Sequence, residues 1–89
     1  MKTFKDLEFK QRTNNLGYHT QAEMEFENGY GVSVITGKGA YSSLSSPYEM
    51  AILYKGAITY SSGITNDVIG YLDEEEVTDY MEKVQLLNS

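Results

Sequence analysis

The chain has no cysteine and no tryptophan, and only one histidine and one proline among its 89 residues. Without cysteine it can form no disulfide, thiolate nucleophile or cysteine zinc site. With His19 as the only imidazole, a Ser-His-Asp set would have to be built around it, and no serine sits in a nucleophile-elbow sequence. No apolar run approaches the roughly 18 residues that a membrane helix needs. The segment Met1-Lys2-Thr3-Phe4-Lys5-Asp6 lacks the apolar core of a signal peptide. The expectation is one cytoplasmic domain over residues 1–89 that is not an enzyme and has no cofactor and no metal.

Bases are scarce where acids are dense. The first 63 residues carry six acids and six bases, whereas the last 26 carry Asp67, Asp73, Glu74, Glu75, Glu76, Asp79 and Glu82 against Lys83 alone. The net charge of −6 therefore lies at the C-terminal end. Phosphate would be repelled, which argues against nucleic acid or anionic lipid as a direct ligand.

Two familiar site patterns fail on inspection. Gly37-Lys38 resembles the end of a P-loop, but Val32 stands where the earlier glycine belongs and Gly39 replaces the magnesium-binding hydroxyl. Asp73 to Glu76 offers oxygen ligands, yet consecutive helical residues diverge and cannot close a calcium cage.

Periodicity supplies the fold. Ala22, Met24 and Phe26 alternate with Glu23, Glu25 and Glu27, the pattern of a strand with one buried face. Asn28-Gly29 signals a hairpin into 31–36. A three-residue loop, Asn28 to Tyr30, would pair Phe26 with Val32 and Met24 with Val34 and keep the apolar sets on one face. Residues 37–47 read as a long Gly/Ser-rich loop. Residues 48–54 and 57–60 flank Lys55-Gly56 as a second hairpin, and the first of these strands is apolar on both faces.

Leu7 and Phe9 suggest a short strand, Arg12 to Gly17 a turn, and 65–72 one or two helical turns capped by Thr65 or Asn66. Residues 73–87 read as a helix, with Asp73 and Glu76 forming a capping box and Val77, Tyr80, Met81, Val84 and Leu87 forming one stripe. The predicted fold class is α+β: an antiparallel sheet of four to five strands in two hairpins, with a C-terminal amphipathic helix packed on one face.

Eight tyrosines are the one compositional excess. Tyrosine serves both as a strand former and as an interface anchor. Tyr30 and Tyr41 fall in predicted turns, where no core requires them. With Glu74, Glu75, Asp79 and Glu82 on the helix they form the candidate partner-binding set, aimed at a protein with a basic surface. A second copy of the protein, covering the free face of 48–54, is the alternative partner.

Three stretches, taken together, resemble small proteins encoded by bacteriophages and prophages. They are Phe26-Glu27-Asn28-Gly29-Tyr30-Gly31-Val32-Ser33-Val34-Ile35, Tyr48-Glu49-Met50-Ala51-Ile52-Leu53, and Ile64-Thr65-Asn66-Asp67-Val68-Ile69-Gly70-Tyr71-Leu72 running into Glu76-Val77. The resemblance implies an accessory protein acting in the cytoplasm of an infected or lysogenic bacterium. It implies binding to a host protein, with modulation or inhibition as the outcome, and it brings no catalytic residues.

Overall fold

The computed structural model describes residues 1–14, 17–37, 47–59 and 68–87. Among the described residues a 3-10 turn, Phe4–Asp6, precedes six strands and one helix. The strands are β1 (Lys10–Asn14), β2 (Gly17–Glu25), β3 (Tyr30–Gly37), β4 (Tyr48–Tyr54), β5 (Ala57–Ile58) and β6 (Ile69–Leu72); the helix α1 spans Glu74–Gln85. They form one antiparallel sheet in the order β1-β2-β3-β4-β5, with β6 also pairing on β4. The α+β class therefore stands, with more strands than the two expected hairpins supply.

The β2–β3 hairpin keeps the expected faces but not the expected partners. Met24 lies opposite Val32 and Ala22 opposite Val34, so the loop is Glu27–Gly29 rather than Asn28–Tyr30. The Phe26 N–H donates to the Tyr30 carbonyl at 2.7 Å, and the Gly29 N–H returns to the Phe26 carbonyl at 3.1 Å. Gly29 sits at φ +86°, a left-handed position that glycine takes without steric cost. Moving the loop by one residue shifts the pairing by two, and a shift of two leaves every residue on its own face.

Lys55 and Gly56 turn β4 into β5, both at positive φ, as a tight two-residue hairpin requires. The strand β4 is buried on both faces. Met50 and Ile52 face the helix, while Ala51 and Leu53 are buried on the other side.

Two expectations are corrected. Ile69–Leu72 is a strand, not a helical turn; Thr65 and Asn66 lie outside the described residues. Phe4–Asp6 is a 3-10 turn, and the N-terminal strand begins only at Lys10, so Arg12 to Asn14 belong to β1 rather than to a turn. Of the loop expected at 37–47, Gly37 ends β3 instead, and residues 38–46 lie outside the described residues.

The core forms between the sheet and α1. Val32, Val34, Met50, Ile52, Val77, Met81 and Val84 have almost no exposed surface. Phe4, Phe9 and Tyr48 close one end as a ring cluster with centroids 5.0–5.8 Å apart.

Candidate functional site

The acidic helix is set in place from both ends. At its start the Glu76 N–H donates to the Asp73 carboxylate at 2.8 Å, and the Asp73 N–H donates to the Glu76 carboxylate at 3.1 Å. Two backbone donors that the first turn would leave unpaired are satisfied this way. At its end the carboxamide of Asn28 donates to the carbonyls of Val84 and Leu87, both at 2.9 Å, and to that of Gln85 at 3.4 Å. The β2–β3 turn thus caps the helix C-terminus.

The buried stripe Val77, Met81 and Val84 fixes the rotation of α1 on β3 and β4. Glu75, Asp79 and Glu82 are exposed. Their spacings of four and three bring them together on the outward face. Leu86, 69% exposed, lies four residues beyond Glu82 and extends that face with an apolar group. Lys83, the one cation on the helix, rests over the Tyr80 ring at 5.0 Å.

Glu74 stands apart from these three. It lies close enough to Tyr48 to act on its phenol, whose pKa is raised above 10.0 by burial first and by the Glu74 charge second. All four helix acids named from the sequence are exposed; spacing groups Glu75, Asp79 and Glu82, and Glu74 is the one whose charge acts on Tyr48.

The tyrosine candidates change. Tyr30 is the first residue of β3, not a turn residue. It is half-buried against the core, with its ring 4.6 Å from that of Tyr54. Its packing is accounted for by the fold. Tyr41 lies outside the described residues.

Among the tyrosines whose burial is described, the exposed one is Tyr71, which the sequence did not single out as a candidate. It is 58% exposed and holds φ +59° at the β4–β6 bulge, where Tyr48 pairs Leu72 and Met50 pairs Ile69. The only sequence signal was Gly70, one residue before the left-handed position.

An open groove of about 750 Å³ runs between the N-terminal segment, the β2–β3 turn and the end of α1, with Lys2, Asp6, Glu25, Phe26, Glu27 and Gln85 among its walls. Among the described residues no group of three histidine or carboxylate side chains is placed to hold a metal ion. Among them, too, no helix is long and apolar enough to cross a membrane. His19 lies in β2, paired in register with Arg12 and Gly37. Compared with protein-family models, curated proteins and solved structures, the protein finds no match in any of the three.

Proposed function

We propose that this is a small acidic binding module, an accessory protein of the phage type, that docks on a basic surface of a host protein and modulates or inhibits it. The observation that carries the reading is the grouping of Glu75, Asp79 and Glu82, all exposed, on a helix secured at both termini. Closely spaced carboxylates on a rigid rod can stand in for a phosphate backbone and steer association with a cationic groove.

The test reverses Asp79 and Glu82 to Lys. Both lie beyond the first turn, so the capping box is untouched. Partners are captured from a bacterial lysate at low and high salt, and the captured protein is then titrated with wild type and variant. The variant is expected to bind more weakly and with a flatter salt dependence. Equal binding by two equally folded proteins would remove the reading.

A self-associating scaffold module is the second reading, and it has less support. The apolar second face of β4 suggested a covering copy, but Ala51 and Leu53 are already buried within one molecule. Ile58 and Tyr71 remain as exposed apolar groups on the strands that flank β4. Sedimentation across a concentration series decides it, and a strict monomer at high concentration ends it.

A further inference from the structure

We propose that Asn28 is a site of spontaneous covalent modification, and that its conversion to aspartate or isoaspartate releases the end of α1 from the hairpin. Asparagine is among the thermolabile residues. Asn28 is the one asparagine of the sequence that is followed by glycine. A following glycine has no Cβ to hinder approach of its backbone nitrogen.

In the reaction the Gly29 backbone nitrogen attacks the Cγ carbon of Asn28. A new bond forms between that nitrogen and Cγ, the bond from Cγ to Nδ2 breaks, and ammonia leaves carrying the Gly29 amide proton. Water then opens the cyclic imide at either carbonyl, giving aspartate or isoaspartate. Asn28 is only half-buried and lines the open groove, so water reaches it.

The fold opposes this reaction while it is intact. The Gly29 N–H is engaged with the Phe26 carbonyl. The Asn28 carboxamide is held at both polar atoms: its nitrogen by Val84, Gln85 and Leu87, its oxygen by the Tyr30 N–H at 3.1 Å. Attack therefore requires the turn to open first.

The product does not fit where the amide was. A carboxylate has no hydrogen to give to three carbonyl oxygens, and it places negative charge at the negative end of the helix dipole. Glu25, Glu27 and Asp6, exposed on the same groove, add to the repulsion, and Lys2, the cation on its wall, offsets part of it. Loss of the amide is therefore a one-way step that loosens α1, a clock set by how often the turn opens.

The test ages the wild-type protein at mildly alkaline pH, folded and in urea, and follows Asn28 by peptide mass and isoaspartate labelling. The folded protein is expected to convert at least about tenfold more slowly, because opening must precede attack. Equal rates would overturn the protective role of the fold. Asn28→Asp is then compared with Asn28→Ser, which removes the amide without adding charge. Asn28→Asp should melt lower than Asn28→Ser, with the gap narrowing as acid protonates the introduced carboxylate. An Asn28→Asp protein as stable as wild type would overturn the release. If that variant does not fold, the aged wild-type fraction is melted instead, and an unchanged midpoint is the overturning result.

Discussion

The carboxamide of Gln85 exchanges two hydrogen bonds with the backbone of Lys2: its nitrogen donates to the Lys2 carbonyl and its oxygen accepts from the Lys2 N–H, both at 2.8 Å. Gln85 here does what a neighbouring strand would do. The same nitrogen also donates to the Met81 carbonyl at 3.0 Å, which anchors it to its own helix. Phe4 follows with its N–H on the Thr78 hydroxyl at 3.1 Å. Gln85→Ala should cost about 0.5–1.5 kcal/mol, the net worth of a typical hydrogen bond. Amide exchange at Lys2 should speed up while exchange in β3 stays unchanged. Unaltered exchange at Lys2 would show that the pairing holds nothing.

Met81 is fully buried, and Leu86, five residues on, is 69% exposed. Met81→Ala should lower stability by about 2–5 kcal/mol through lost burial and the cavity left behind. Leu86→Ala should stay within about 0.5 kcal/mol of wild type. Urea titration of both variants checks the orientation of the helix, and similar losses would mean that α1 is rotated.

Gly31 of β3 pairs with Glu25 of β2. A methyl group there would strike the Met24 carbonyl oxygen and crowd the Glu25 backbone. The obstacle is backbone within the ladder and cannot swing aside. Gly31→Ala should destabilise by about 1–3 kcal/mol, as overpacking does. A neutral result by thermal melting would place the strands farther apart.

Tyr71 occupies a left-handed conformation that costs an L-residue roughly 1–2 kcal/mol. Its ring is mostly in water and returns little of that cost. Tyr71→Gly should therefore stabilise the fold by up to about 1 kcal/mol, after glycine's greater backbone entropy is allowed for. A drop in melting temperature would mean that the ring supports the sheet.

Burial, and then the charge of Glu74, raise the Tyr48 pKa above 10.0. The folded protein thus holds the phenolic proton more tightly than the unfolded one does. This contribution is complete below the unfolded value of about 10 and is lost as pH rises through the folded value. Tyr48→Phe has no such proton, and its urea midpoint should fall less steeply above that point. Parallel alkaline profiles for the two proteins would exclude Tyr48 as a source of the loss.

The parts legible in sequence were those decided locally. Asp73 and Glu76 announce the helix start because capping is completed within four residues. The alternation through Ala22, Met24 and Phe26 reports which face is buried, but it is blind to a two-residue slip. The actual register is tied by Asn28, which bonds Tyr30 and the distant end of α1 at once.

β6 was misread for a specific reason. The bulge at Tyr71 puts Ile69 and Leu72, three apart, on the same core side, and a spacing of three imitates a helix. β1, reading Lys-Gln-Arg-Thr-Asn, has no apolar alternation to read. At the site, the exposure of the acids follows from the buried stripe opposite them. The half-burial of Tyr30 depends on Tyr54, which reaches it only across the β3–β4 pair.

The arrangement around β4 bears on synthesis. That strand pairs with β3 on one side, and with β6 at its start and β5 at its end on the other. A nascent polypeptide halted before Ile69 would carry Met50 to Leu53, apolar on both faces, with half of that outer edge open. Such a stretch invites β-pairing between molecules on crowded ribosomes. The short bulged segment that looks least like a strand is the piece that closes this edge once the chain is complete through Leu72.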